Sequence, residues 1–495
     1  MSADQAPLFS TGIPGLDEIL GGGLSARRMY LIEGRPGTGK TTLCLQTLLA
    51  GRQSGEKGLY VTLSETRQEL ESVAASHGWS LEGITLWEPA VSGEDPAAPQ
   101  GSMFHPSEVE LDSITQAFLA EMERVKPQRM VIDTLSELRL LAGSALRHRR
   151  QIHALRRYAN THGCTMLLAD DELSDSQGSY LHNLAHGVIS LERISPDYGT
   201  MRRRLKVPKL RGVDYRGGWH DFVIRGGGME VFARLVASDH VTPFKRQDLS
   251  SGVESLDRLL GGGLSVGTST LVMGPAGAGK STVCMQFMLA AAQRGQGAAA
   301  FLFDESARTW MTRAQSLGMD FASHVAEGRI RAHPIDPGLL SPGEFVRRVR
   351  NEVERDRLPT KVLIIDSLNG YMQSVPEEHF LRNHLHQLLA YLGQRGVVTL
   401  LVVAQHGFVG DPRAPLNTTY FADNVIVLRP FEANGEMRHS VAMIKKRTGD
   451  HERAIRELRL GATGIQIGEP LSEFQGILTG EPVFTGTLPA SGKPR

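Results

Sequence analysis

Short runs of apolar, β-rich residues alternate along this chain with longer stretches that carry apolar residues at helical spacing. Met29 to Glu33 and Thr270 to Met273 are two such runs, each leading into a glycine-rich loop. Thr41 to Ala50 and Ser281 to Ala292 come after those loops and have the spacing and the good helix formers of helices. Met130 to Asp133 and Val362 to Asp366 are continuous apolar runs closed by an acid, which suits strands buried on both faces of a parallel sheet. Leu59 to Glu65 and Phe301 to Glu305 come after the loop helices, and Met166 to Ala169 and Thr399 to Val403 after later ones. The alternation predicts an α/β fold with a mainly parallel β-sheet flanked by helices.

Every element in that reading occurs twice. TGIPGLDEILGGG at 11–23 returns as SGVESLDRLLGGG at 251–263, and GRPGTGKTT at 34–42 returns as GPAGAGKST at 274–282, both 240 residues later. Cys44 and Cys284, Glu65 and Glu305, and Gly78 and Gly318 keep the same offset. It becomes 233 between Asp133 and Asp366 and 236 between Lys209 and Lys445, slips that small loop insertions explain. Two homologous domains are therefore expected, 1–239 and 240–495. The boundary is placed near Asp239, where the run ending at Leu235-Val236 gives way to Thr242-Pro243 and Lys245-Arg246.

Composition narrows the function. The chain has 495 residues, 41% hydrophobic and 22% charged, as ordinary globular domains do. Lys plus Arg and Asp plus Glu balance at 54 each, so the basic surplus typical of nucleic-acid handling is missing. Arg202-Arg203-Arg204 is a local exception, read as a solvated edge or a subunit contact. Cys44, Cys164 and Cys284 form no CxxC pair, which argues against a zinc site or a disulfide framework. Met1 to Ser10 lacks the pattern of a signal peptide, and no apolar run approaches the ~18 residues of a membrane span. A cytoplasmic location without membrane contact is the expectation.

Gly34-Arg35-Pro36-Gly37-Thr38-Gly39-Lys40-Thr41, followed by Thr42, fits the phosphate-loop pattern GxxxxGK[ST] in full. So does Gly274-Pro275-Ala276-Gly277-Ala278-Gly279-Lys280-Ser281, followed by Thr282. Glycines at these positions let backbone N–H groups turn inward on phosphate oxygens, and the helix N-terminus adds positive potential. Lys40 and Lys280 are expected on the β- and γ-phosphates of ATP, and the hydroxyls of Thr41 and Ser281 on Mg²⁺. Asp133 and Asp366 close their strands where the second metal-side carboxylate is expected. Glu65 in the first half, and Asp304 and Glu305 in the second, are candidates to orient or deprotonate the attacking group.

With these residues in place, the chain resembles the KaiC family, the two-domain RecA-like ATPases that include the circadian clock protein of cyanobacteria. The resemblance runs from Thr11 to about Gly480 and extends to two late signatures, Lys209-Leu210-Arg211-Gly212 and Lys445-Lys446-Arg447. It implies tandem RecA-like P-loop domains and a hexameric ring with ATP between subunits. Lys209, Arg211, Lys445 and Arg447 would then reach the ATP of a neighbouring subunit. Where the family carries two adjacent glutamates, this chain has Ser64-Glu65 and Asp304-Glu305, so turnover at the first site is in question. Only the short segment Glu481 to Arg495 remains beyond it, so a clock-type partner is not assumed. The family's phosphorylated Ser-Thr pair falls on Tyr420 and Thr419, three and four residues before Asp423. Thr419 is the preferred acceptor, with Asp304 or Glu305 as its base. The first-half counterparts His182 and Asn183 carry no such hydroxyl.

The leading expectation is thus an ATP-hydrolysing signalling protein, with two readings open for Thr418 to Phe421: a Ser/Thr autokinase acceptor in the second domain, or a β-rich strand-entry segment packed at the subunit interface. A RecA-like recombinase or helicase is the competing class, opposed by the charge balance and by only 6% aromatic residues to stack on bases. An ATP-assembled scaffold with weak hydrolysis is the third, kept open by Ser64.

Overall fold

The computed structural model describes residues 7–88, 106–171, 176–195, 200–373, 378–405 and 420–486. Thr418 and Thr419 lie outside them. The chain divides into two units, Met1–Arg234 and Leu235–Arg495. Leu235 is buried in the core of the second unit, and the His240 ring meets the Tyr391 ring edge-on at 5.2 Å. The stretch around Asp239 therefore packs within the second unit.

In the first unit a nine-stranded sheet runs in the order Gly228–Phe232, His220–Arg225, Arg202–Leu210, Gly187–Ile194, Met29–Gly34, Thr165–Asp170, Arg129–Asp133, Gly58–Thr62, Ile84–Trp87. The last six are parallel to one another, and the first three continue the sheet antiparallel. The second unit repeats the order with Ile330–Pro334, Gly297–Leu302, Thr360–Asp366, Val398–Ala404, Ser269–Gly274, Asn424–Ala433, Glu436–Lys446, Arg456–Gly461 and Gly464–Pro470. Asn424–Ala433 and Glu436–Lys446 are joined by Asn434-Gly435, both at positive φ (53° and 74°). That pair suits a tight hairpin matching the twist of its strands.

The central strands read as unbroken apolar runs because both of their faces are covered. Tyr30 and Ile32 pack under the helix Lys40–Gln53 with Leu43 and Leu48, while Met29 and Leu31 face Ile152 and Leu155 on the other side. Val362 and Ile364 against Leu363 and Ile365 repeat this alternation in the second unit.

Each antiparallel extension carries a bulge at the same place. Val188 faces Lys209 but Ser190 faces Lys206, and Val425 faces Lys445 but Ile426 faces Met443. An extra residue there bends the strand and re-aims its side chains. Lys209 and Lys445 sit beside it in both units.

Candidate functional site

Each glycine loop leaves its strand at Gly34 or Gly274 and enters a helix at Lys40 or Lys280. Left-handed backbone is required at Gly37 and Gly39 (φ 75° and 109°) and at Gly277 and Gly279 (φ 78° and 91°). Gly39 has a second reason to lack a side chain, since a Cβ would lie 2.5 Å from Ile224 Cδ1; at Gly279 it would lie 2.6 Å from Leu460 Cδ1. The antiparallel extension therefore backs the loop. Thr38 Oγ1 ties the turn in the first half by donating to Arg35 O at 2.8 Å, a bond that Ala278 cannot make. Gly39 and Gly279 cap their helices without a side-chain bond, which leaves the first-turn N–H groups around Thr41, Thr42, Ser281 and Thr282 to an anion.

The lysines are held inside their loops. Lys40 Nζ donates to Gly34 O at 2.6 Å and lies 3.0 Å from Asp171 Oδ1. Lys280 Nζ donates to Pro275 O at 2.7 Å, and its burial pulls its pKa below the usual lysine value. Thr41 Oγ1 donates to Asp133 Oδ2 at 2.8 Å, and the Tyr60 hydroxyl donates to the same oxygen at 2.5 Å. Burial, and then the Asp133 charge, push the Tyr60 pKa up. Ser281 holds the position of Thr41 beside Asp366, where it opposes the rise in that acid's pKa. Asp366 is buried, which raises its pKa, and its Oδ2 has no hydrogen-bond partner. A hydroxyl touching a strand-end carboxylate, with a carboxylate oxygen unsatisfied in one half, fits a hard divalent cation shared with phosphate oxygens.

The three acids beyond this pair differ. Glu65 Oε2 is buried without a partner, and burial followed by the Asp133 charge raises its pKa. Asp304 accepts from the Ser367 hydroxyl, and Glu305 forms an ion pair with Arg313. The first half thus presents one unengaged carboxylate oxygen, and the second presents two engaged acids.

Lys209, Arg211, Lys445 and Arg447 are not gathered at the loops of their own units. Lys209 Nζ donates to His182 O, and Arg211 donates to Asn183 O at 3.0 Å. Lys445 Nζ donates to Ala422 O at 2.7 Å, and Arg447 pairs with Asp423 Oδ1 at 3.0 Å. Arg211 N donates to His186 O, whereas Gly34 faces Leu191, so about 16 Å of strand separates the two levels. The same arrangement holds in the second unit, where Arg447 N donates to Asp423 O and Met273 faces Val427.

One feature of the first half escaped the sequence reading. Asp170 accepts from Arg139 at 2.5 Å, and its pKa is pushed up to about 6 by burial, against the pull of that guanidinium. Asp171 beside it holds Lys40. The signal was present: Asp170-Asp171 closes the apolar run Met166 to Ala169 as Asp133 closes its own. In the second half the corresponding positions are Met372, Val403 and Ala404. Thr419 cannot be placed against any of these groups, but Tyr420 beside it is 80% exposed.

The family model described as the KaiC ATPase matches residues 9–236 and, a second time, residues 249–472. The chain belongs to the KaiC ATPase family. Its two units are tandem RecA-like α/β domains, and both loops lie within the KaiC matches. The circadian clock protein KaiC3 of Synechocystis is 26% identical over 493 residues, covering 97% of this chain and 96% of that protein. The circadian clock oscillator protein KaiC of Prochlorococcus marinus (strain MIT 9313) is 26% identical over 487 residues, covering 97% and 96%. KaiC of Thermostichus vulcanus is 26% identical over 491 residues, covering 97% and 93%. Among the described residues of this KaiC-family chain, no helix is long and apolar enough to cross a membrane.

The Lys40–Asp171 contact must break before Lys40 can turn to a phosphate. Half-exposed ion pairs contribute up to about 1 kcal/mol, so Asp171→Asn is expected to tighten nucleotide binding to the first half by up to about fivefold. Titration of a fluorescent ATP analogue into the Lys280→Ala chain, with and without Asp171→Asn, reads this directly. Unchanged or weaker binding would contradict it.

Proposed function

We propose that this chain binds and hydrolyses Mg²⁺-ATP at both loops and assembles through ATP into a ring, a hexamer on the family's pattern, as a cytoplasmic signalling ATPase. The observation that carries the reading is the contact of loop hydroxyl and strand-end acid, Thr41 with Asp133 at 2.8 Å, with Ser281 and the partnerless Oδ2 of Asp366 at the same positions of the second half. Gly34, Gly37, Thr38 and Gly39, and Gly274, Gly277, Ala278 and Gly279, shape the cradle. Lys40 and Lys280 leave loop carbonyls for phosphate oxygens. Thr41 with Asp133, and Ser281 with Asp366, would hold Mg²⁺, which would supply positive charge against the phosphates. Glu65 orients a water in this reading, supported by an oxygen that has no hydrogen-bond partner, and Asp304 and Glu305 serve the second site.

The position of the basic residues supports assembly. Lys209, Arg211, Lys445 and Arg447 sit too far along the sheet to serve their own loops, so a neighbouring copy is the natural recipient of their charge. Burial, and then Arg211 or Arg447, hold the Lys209 and Lys445 amines below the usual lysine pKa, a repulsion that an approaching phosphate would relieve.

Lys40→Ala with Lys280→Ala is expected to abolish ATP turnover and leave mostly monomers or small oligomers in Mg²⁺-ATP, as read by phosphate release and native mass spectrometry. Full rings in this double variant without bound nucleotide would overturn the coupling of ATP to assembly. Wild-type rings that hold ATP without releasing phosphate would leave the scaffold.

Autophosphorylation of the second half extends this reading. Its support is the paired acids Asp304 and Glu305 at the second loop and the exposure of Tyr420 next to Thr419. Tyrosine places its hydroxyl several ångströms farther out than threonine, and in-line transfer fails with roughly 1 Å of misplacement, which favours Thr419. After incubation with Mg²⁺-ATP, peptide mapping is expected to find phosphate on Thr419, lost in Asp304→Asn with Glu305→Gln. An unmodified peptide from protein that still hydrolyses ATP would remove the autokinase activity from the account.

A further inference from the structure

The helix Ala145–His162 starts with the wrong charges for its position. A helix N-terminus is the positive end of the macrodipole and favours acids. This first turn has none, and carries Arg147, His148 and Arg149 instead. Arginines continue at Arg150, Arg156 and Arg157, and no Asp or Glu occurs between Ser144 and His162.

At this end of the helix lies a cavity of about 310 Å³, walled in part by Arg139, Gly143, Ser144, His148, Arg149 and Tyr180. His148 is only 6% exposed, yet its Nε2 has no hydrogen-bond partner. Burial, with Arg139 adding to it, pulls the His148 pKa down to about 4, so the ring is neutral and has one N–H to give. Arg139 holds Asp170 through one nitrogen, and a guanidinium carries five N–H donors in all. Arg149 lies 4.6 Å from the centre of the Tyr180 ring, which fixes its position. In sequence, the positions 233 residues on from Ala145 and His148 are Glu378 and Leu381, so the second half does not repeat this design.

We propose that the start of the helix Ala145–His162 is an anion site, separate from the phosphate loops, that takes the phosphate group of a small phosphorylated molecule. A tetrahedral oxyanion accepts from several directions at once, which matches two guanidiniums, a helix N-terminus, a hydroxyl and an imidazole around one cavity. The volume leaves room for the rest of a small molecule beside the phosphate. None of this depends on the loops binding ATP.

The test uses the full chain with both loops saturated by a non-hydrolysable ATP analogue and Mg²⁺, its loop stoichiometry being read first. Inorganic phosphate is then titrated calorimetrically at constant ionic strength, with chloride as the balancing ion. One further phosphate per chain is expected. Arg149→Ala, at an exposed position, should weaken that binding by about tenfold, the loss of a charge-assisted bond. His148→Gln should weaken it severalfold. Arg157→Ala, near the other end of the helix, should leave it within about twofold, since exposed charges that far apart are screened. No saturable phosphate uptake beyond the loops, or equal affinity in wild type and Arg149→Ala, would overturn the site.

Discussion

The direction of the parallel strands is the constraint on which everything else in these two units depends. When six neighbouring strands run the same way, their carboxyl ends gather at one edge of the sheet, and that edge collects the chemistry. Gly34 and Gly274 open the glycine loops there, and Asp133 and Asp366 end their strands alongside. A buried carboxylate needs donors. Thr41 and Tyr60 answer Asp133, whereas Asp366 keeps one oxygen without a donor. The antiparallel return strands then carry Lys209, Arg211, Lys445 and Arg447 toward the opposite edge. A single chain so built separates its phosphate cradle from its late basic signature, and on the proposed reading a second copy reunites them.

The halves share a frame and differ in how their charges are engaged. In the first, Lys40 is tethered by Asp171, next to the buried Asp170 and its partner Arg139, while Glu65 keeps one oxygen free. In the second, Lys280 has only loop carbonyl contact among the described bonds, and Asp304 and Glu305 are bound to Ser367 and Arg313. The substitution at Ser64 therefore does not by itself make the first site the weaker one. Its remaining glutamate is the less encumbered of the candidates.

Much of this was legible in the sequence because it rests on local pattern. The loops, the strand-end acids and the doubling are all carried by residue types at fixed spacing, and the family match over 9–236 and 249–472 agrees with the resemblance. The mainly parallel character was readable from the apolar runs, but the three-strand antiparallel extension was not. Strands such as Arg202–Leu210 and His220–Arg225 lie toward one end of the sheet, bury only some of their residues and carry no marker of their partner. The buttressing of Gly39 by Ile224 and of Gly279 by Leu460 joins residues nearly two hundred positions apart, which spacing cannot reveal. The Arg139–Asp170 and Lys40–Asp171 contacts were hidden for the same reason, although the acidic pair itself was in plain view. Thr419 was named from resemblance alone and lies outside the described residues.

The central claim is that each nucleotide site is completed by the neighbouring copy. Mixing Arg447→Ala chains with Glu305→Gln chains tests it most directly, with phosphate release monitored across mixing ratios. Interfaces that join an intact Glu305 to an intact Arg447 should turn over ATP, so the mixture should exceed the weighted mean of its two parents, most strongly near equal proportions. A rate that tracks that mean at every ratio, in rings proven to be mixed, would contradict the account.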